Sequence, residues 1–282
     1  VHDNAVALVN GIRKEKLAPI IEDEFPIKFI GVHSKNREEY VTLVKGCIMD
    51  ATTVVPFYDT LGSDVIEYIL GHTHLTTMFC TTESLATLIE LGKSGKSDKL
   101  KTIVMFDEIS AESKKNCEDV GFTVYSYQTL VDLGRENLSE LSAPKPDDVY
   151  FISYTSGTTG TPKAAMITHR SMTFQIFSCR KVIKIESTDV HLSYLPLAHI
   201  AETTNLQVIV TGGGAVGFYS GDPRQLAQDL KVLKPTFLAG VPRVFNRFYD
   251  VIQGQFRAAE GTKKKIIDKA VASKIENYQQ NG

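Results

Sequence analysis

Hydrophobic positions along the chain follow two alternating patterns. Short runs of β-branched and aromatic residues predict strands, which lie at 28–33, 52–57, 75–80, 101–106, 122–127 and 149–154. Between them, apolar residues recur at helical spacing and predict helices at 63–70, 84–91 and 110–118. Asn36 precedes Glu39 with the spacing of a capping box, which predicts the start of a further helix. Strands that alternate with helices indicate a parallel sheet covered on both faces.

A polar stretch with two prolines, at 142–148, indicates a subdomain boundary. We predict a first α/β subdomain at 1–146, part of a second at 147–243, and a helical segment at 244–282 that is interrupted near Gly261. Strand patterns in the second subdomain lie at 190–195, 214–219 and 236–240, and helix patterns at 169–181, 198–211 and 223–232. The helical segment is amphipathic, and burial of its apolar face would allow this chain to dimerise.

Composition narrows the class of protein. The 282 residues carry a formal net charge of −2, so no basic excess points to a nucleic acid partner. The four cysteines are widely spaced, which favours reduced thiols in a cytoplasmic protein. No apolar run reaches the ~20 residues that cross a bilayer. The chain begins with Val1 rather than Met, so these residues do not exclude a leader or anchor outside them.

Residues 154–163 carry the most specific chemistry in the chain. They read Tyr-Thr-Ser-Gly-Thr-Thr-Gly-Thr-Pro-Lys and follow the strand at 149–154 directly. Glycines let backbone N–H groups approach an anion, the hydroxyls donate hydrogen bonds, and Lys163 supplies a positive charge. This combination suits a polyphosphate, although the spacing is not that of a Walker P-loop. A solvated Ser/Thr/Gly linker is the alternative, but such linkers rarely follow an apolar strand directly.

This run resembles the signature phosphate loop of the AMP-forming adenylate synthetases, with Ala164 where that superfamily usually has glycine. The segment Leu-Pro-Leu-Ala-His-Ile-Ala-Glu at 195–202 is similar to a run in the long-chain acyl-CoA synthetases, as are 55–62 and 240–243. The resemblance covers residues 29–250, and it favours the long-chain fatty acid–CoA ligase branch. With the strand pattern, it implies an α/β fold of two stacked, doubly wound, mainly parallel sheets flanked by helices.

The resemblance also assigns roles to individual residues. It implies that the β- and γ-phosphates of ATP are bound by a loop set of Thr155, Ser156, Gly157, Thr158, Thr159, Gly160 and Lys163. Lys163 and His199 are the candidate catalytic residues, with His199 beside the reacting carboxylate. Taken alone, His199 is better explained by local capping or packing, because histidine is often partly buried. Glu202 and Arg243 match the family too, but the sequence assigns them no role. His72 and His74 lack a third ligand, so no metal-binding residues are predicted.

The implied reaction uses ATP, a fatty acid and coenzyme A, with Mg²⁺ accompanying the nucleotide. It forms an acyl-adenylate and then acyl-CoA. The family's adenine and ribose motifs, its hinge and its C-terminal lysine are missing from these residues. We therefore expect the N-terminal portion of a longer enzyme that is inactive by itself. A fatty substrate is compatible with peripheral membrane association of a cytoplasmic protein. Two alternatives stay open: another adenylate-forming ligase with an aryl or amino acid substrate, and a short non-catalytic module that binds nucleotide or a partner.

Overall fold

The computed structural model describes residues 1–22, 26–155 and 162–281. The helices are α1 (His2–Lys14), α2 (Glu38–Met49), α3 (Ser63–Thr73), α4 (Thr82–Lys93), α5 (Ala111–Asp119), α6 (Tyr127–Glu136), α7 (His169–Val182), α8 (Ile200–Thr211), α9 (Leu226–Leu233), α10 (Pro242–Arg257) and α11 (Gly261–Asn281). The strands are β1 (Ile20–Ile21), β2 (Ile27–His33), β3 (Thr53–Phe57), β4 (Thr77–Cys80), β5 (Thr102–Met105), β6 (Thr123–Ser126), β7 (Val149–Thr155), β8 (Lys163–Thr168), β9 (Val190–Ser193) and β10 (Ala215–Phe218).

A large, mainly parallel sheet forms the centre of the first part of the chain. Its strands lie in the order β6-β5-β4-β2-β3-β7-β8, and β1 pairs with β2 at one end. The pairs from β6 to β7 are parallel, whereas β8 and β1 are antiparallel to their neighbours. β3, β4 and β5 are buried along their whole length because helices cover both faces of the sheet. The predicted strand and helix alternation is confirmed here.

The second sheet is small and parallel. β9 pairs with β10, and a single bridge joins His191 to Phe237. The predicted strand at 236–240 is therefore wrong in extent, since only this bridge is formed.

One hydrophobic core joins the two sheets: it contains Phe151 of β7, Met172 of α7 and Leu206 of α8. The α/β fold of parallel sheets flanked by helices is thus the observed architecture. The subdomain boundary after residue 146 stays a prediction. β7 and β8, which lie beyond it, pair with the first sheet.

Two features of the first sheet's surroundings were missed. α1 and α6 had no sequence prediction, and they pack closely through glycines: a Cβ on Gly134 would lie 1.7 Å from the Ala7 carbonyl oxygen.

The predicted cap at Asn36 was wrong. α2 begins at Glu38 with Arg37 at its N-cap, and no side chain caps the helix. Asn36 bonds instead to the end of β9 and to the segment that follows it.

The chain divides into two compact units, Val1–Phe237 and Leu238–Gly282. The second unit contains α10 and α11, which agrees with the predicted helical segment and its interruption near Gly261. Phe245, Tyr249 and Ile252 of α10 are 46%, 60% and 47% exposed, so the apolar face of this helix is not buried within its unit. None of the helices in the described ranges is long and apolar enough to cross a membrane.

Candidate functional site

The two ends of the candidate phosphate loop lie side by side. β7 and β8 form an antiparallel pair in which Thr155 is opposite Lys163, and both residues are exposed. β7 is almost fully buried, because its aromatic and β-branched side chains enter the core on both faces of the sheet. β8 is largely exposed. Ser156, Gly157, Thr158, Thr159 and Gly160 lie outside the described residues. Thr155 and Lys163 are thus brought together at the carboxyl end of β7, where open α/β sheets place their ligands.

Tyr154 fixes the start of the loop. Its hydroxyl lies 2.6 Å from Nδ1 of His72, and its ring packs edge-on against the rings of His72 and Tyr68. Burial raises the pKa of Tyr154, so the phenol is protonated at neutral pH, and the tautomer of His72 decides which of the two groups donates. His72 is therefore a partner of the loop strand. Within the described ranges, no cluster of three or more His, Cys, Asp or Glu side chains could hold a metal ion.

Ala164 pairs with Tyr154 across the β7–β8 ladder and lies on the same face. Its methyl group packs against the core and lines a cavity of about 330 Å³. The cavity walls include Phe29, Ile152 and Met166. Ala164, which stands where the family usually has glycine, therefore fits because its side of the β7–β8 hairpin faces this cavity. Sequence reasoning missed the cavity, because its walls come from segments that are far apart in the chain.

His199 occupies the N-cap of α8, a few residues after the end of β9. Its Nδ1 accepts a hydrogen bond from the Ala201 N–H at 3.1 Å, and the residue is exposed. With Nδ1 accepting, the neutral ring carries its proton on Nε2. The sequence predicted that His199 lies between the end of a strand and the start of a helix, and the structure confirms this position. Among the described residues, no hydrogen bond or ion pair joins His199 to Thr155 or Lys163.

Glu202 faces inward. Its Oε1 lies 2.9 Å from Nε2 of His191 on β9, and both side chains are 0% exposed. Nδ1 of His191 also lies 3.3 Å from the carbonyl oxygen of Phe237. The pair joins the first turn of α8 to the second sheet, which gives Glu202 a structural role that its match to the family did not reveal. Arg243 belongs to α10 in the second unit, where it is exposed.

Asn36 bonds to the segment that leads to His199. Its Nδ2 donates to Ser193 Oγ at 2.9 Å and to the Leu195 carbonyl at 2.7 Å. Its Oδ1 accepts from the Leu197 N–H at 2.8 Å. The residue follows β2 of the first sheet, whereas its partners are the last residue of β9 in the second sheet, Ser193, and two residues that follow it. Sequence reasoning placed Asn36 in a helix cap, since the local spacing carries no signal for partners roughly 160 residues away.

Comparison with known proteins gives the family. The sequence profile described as AMP-binding enzyme matches residues 25–274. Long chain acyl-CoA synthetase 7, peroxisomal, of Arabidopsis thaliana is 36% identical over 245 residues, which cover 87% of this chain and 35% of that protein. Human long-chain-fatty-acid–CoA ligase 1 is 38% identical over 251 residues, with 86% and 35% coverage. The chain thus spans little more than a third of the length of these relatives.

Solved structures show the same fold at low sequence identity. The adenylation domain of a carboxylate reductase from Mycobacterium chelonae superposes with a TM-score of 0.80 at 21% identity, over 95% of this chain and 42% of that chain. A long-chain-fatty-acid–CoA ligase from Archaeoglobus fulgidus superposes with a TM-score of 0.70 at 20% identity, over 92% and 46%. The profile match covers most of the sequence, and the chain therefore belongs to the AMP-binding enzyme family.

Proposed function

We propose that this chain forms the phosphate-binding part of an ATP-dependent ligase that activates a long-chain fatty acid. In the first step the fatty acid carboxylate attacks the α-phosphorus of ATP, and pyrophosphate leaves as the acyl-adenylate forms. In the second step the thiol of coenzyme A attacks the acyl carbonyl, loses its proton and displaces AMP. The pairing of Thr155 with Lys163 carries the proposal, because it presents a hydroxyl and an ammonium group together at the carboxyl end of β7.

The residues of the loop set have a common task in this mechanism. Thr155, Ser156, Thr158 and Thr159 would donate hydroxyl hydrogen bonds to the β- and γ-phosphates, and the backbone N–H groups of Gly157 and Gly160 would also bind them. Lys163 offsets charge that develops on the departing pyrophosphate. His199 borders the carboxylate and the α-phosphate, where Nε2–H can donate a hydrogen bond. Mg²⁺ supplies further charge neutralisation when it accompanies the nucleotide. We assign it no protein ligand.

Mg-ATP titration by calorimetry tests the phosphate site. We expect saturable binding that is weakened about tenfold or more by Lys163→Ala, since a hydrogen bond to a charged group contributes about 1.5–3 kcal/mol. Lys114 on α5 is also exposed and provides the matched control, because Lys114→Ala removes the same charge elsewhere. Equal affinities for the parent chain and Lys163→Ala would reject the assignment of the phosphate site.

The acid substrate is tested by thermal shift with three adenosine sulfamate esters, carrying a palmitoyl, a benzoyl or an aminoacyl group. Greater stabilisation by the palmitoyl compound supports the fatty acid assignment, for which the long-chain relatives are the main support. A preference for the benzoyl or aminoacyl compound favours another adenylate-forming ligase. Stabilisation by ATP alone, with no gain from any acyl group, favours a non-catalytic nucleotide-binding module.

Assembly and location are part of the same proposal. We propose a cytoplasmic chain that associates with membranes only peripherally and that dimerises through α10. The exposed Phe245, Tyr249 and Ile252 support the dimer, because water solvates such a face poorly. Sedimentation analysis should show self-association that Phe245→Ser with Ile252→Ser reduces. Flotation with phosphatidylcholine vesicles should show weak, reversible binding.

A further inference from the structure

The side chain of Asn36 uses both of its amide N–H groups and its carbonyl oxygen on one short segment. The three partners, Ser193, Leu195 and Leu197, lie within five residues of one another. Asn36 is 8% exposed and Ser193 is fully buried, so water competes poorly for these bonds. An amide is the group that suits this task, because it offers two donors and an acceptor in one plane.

Further contacts hold the part of the segment that lies between these bonds and His199. Leu197 and Ala198 are 5% and 3% exposed, and the Thr203 hydroxyl donates to the Leu197 carbonyl at 2.8 Å. The His199 N–H donates to the Pro196 carbonyl at 2.8 Å. His199 itself is exposed. An exposed imidazole thus follows two buried residues, and the backbone of Leu197 is bonded by Asn36 on one side and by Thr203 on the other.

Contacts of the neighbouring residue Arg37 also hold the backbone at Asn36 in place. Arg37 donates to Asp107 at 2.5 Å and to Glu39 at 2.8 Å, and its guanidinium lies 5.3 Å from the centre of the Phe106 ring. Asp107 also accepts a hydrogen bond from the Thr82 N–H at the start of α4. These contacts tie the turn after β2 to the carboxyl ends of β4 and β5.

We propose that Asn36 is a positioning residue for His199. Its three hydrogen bonds hold the segment that leads to His199 in a fixed position relative to the first sheet. That sheet contains β7 and β8, between which the candidate phosphate loop lies. The proposal rests on the proposed function, in which His199 meets the carboxylate while the loop at 154–163 holds the phosphates. Asn36 itself touches neither substrate nor nucleotide.

The test compares Asn36→Asp with a matched control in the ¹⁵N-histidine-labelled chain. Asn36→Asp preserves shape and the acceptor oxygen but removes both donors. Asn10→Asp is the control: Asn10 is 1% exposed, and its amide bonds to Val6 and Ser139, away from the segment. The ring signals of His199, assigned with His199→Gln, report whether Nδ1 still accepts the Ala201 N–H. We expect Asn36→Asp to shift and broaden these signals and Asn10→Asp to leave them in place.

Thr203→Val provides a second route if Asn36→Asp fails to fold, since it removes one bond to the same segment from α8. Unchanged His199 signals in a folded Asn36→Asp chain, or in Thr203→Val where Asn36→Asp does not fold, would overturn the inference. So would equal changes in Asn36→Asp and Asn10→Asp, which would show only a general loss of stability. The signals are read without ligand, so they test positioning even if the chain binds no nucleotide.

A second measurement connects positioning to the proposed reaction. The adenosine sulfamate ester of palmitic acid should bind Asn36→Asp about tenfold more weakly than the parent chain, and Asn10→Asp should match the parent. Shifted His199 signals with no binding of this compound by the parent would reject the proposed function and keep the positioning role. Binding of the compound by the parent, with His199 signals that Asn36→Asp does not shift, would keep the proposed function and reject the positioning role.

Discussion

Nε2 of His191 lies 2.9 Å from Oε1 of Glu202, and neither side chain is exposed to solvent. The pair joins the strand β9 to the first turn of α8, three residues beyond His199. Removing one partner of a buried hydrogen-bonded pair leaves the other without compensation for its lost hydration. The stability of the region around His199 therefore depends on this contact.

Glu202→Ala should lower the free energy of unfolding by about 3 kcal/mol, and Glu202→Gln, which keeps a hydrogen-bonding oxygen, by about 1 kcal/mol. Urea denaturation measures both. Glu83 provides the control, because its side chain is 71% exposed and Glu83→Ala should change stability by less than about 0.5 kcal/mol. Equal losses for Glu202→Ala and Glu83→Ala would contradict the structural role of Glu202.

Gly134→Ala should destabilise the chain strongly, because the added methyl would meet the backbone of α1 at 1.7 Å. We expect a loss of about 3 kcal/mol or more in the free energy of unfolding, typical of severe overpacking. Gly71→Ala is the matched control. Gly71 lies within α3 and has nothing within 4 Å of its would-be Cβ, so alanine should stabilise by up to about 1 kcal/mol. Thermal unfolding of the two variants should shift in opposite directions.

Two tyrosines differ in their hydroxyl partners. Tyr154→Phe removes the hydrogen bond to His72 and should cost about 1 kcal/mol of stability. Tyr40 is 1% exposed, and its hydroxyl has no hydrogen-bond partner among the described residues. Tyr40→Phe should therefore be neutral or stabilising, since it removes a buried group that water no longer hydrates. Chemical denaturation that ranks the two variants the other way would show that the contact between Tyr154 and His72 contributes nothing.

The stability of the chain should fall as the pH drops below about 6.5, in part through His33. Burial at the end of β2 lowers the pKa of His33 from its ordinary value of 6.5, although Asp59 and the backbone of Tyr58 oppose this shift. Above pH 6.5 the ring is neutral in both states, so it adds no pH dependence. Below that value the unfolded chain binds the proton first, which favours unfolding by at most about 1.4 kcal/mol per pH unit.

Urea denaturation between pH 7.5 and pH 5.5 measures this slope. His33→Phe should make it shallower, because the buried titrating group is gone. His2 is exposed, and His2→Gln should leave the slope as it is in the parent chain. A slope that His33→Phe does not change would show that the ring titrates alike in the folded and unfolded states.

The sequence by itself determined the order of strands and helices from β2 to β7, except for α6. It also determined the strand that leads into 154–163 and the place of His199 before α8. These features follow from periodicity and turn chemistry within a few residues, which a single stretch of chain contains. It also located the interruption near Gly261, a glycine with positive φ at which α11 begins after the end of α10.

Only the tertiary structure decided the roles of Asn36, Glu202 and Gly134. The local spacing of Asn36 fits a helix cap, yet its amide bonds across to the end of β9 and the segment after it, where it pairs with three polar groups. Glu202 is at the polar start of a helix, but packing turns it toward His191. Gly134 is required because the backbone of α1 crosses against it. Each role depends on a partner that is distant in sequence, and long-range packing selects that partner after the local elements are set.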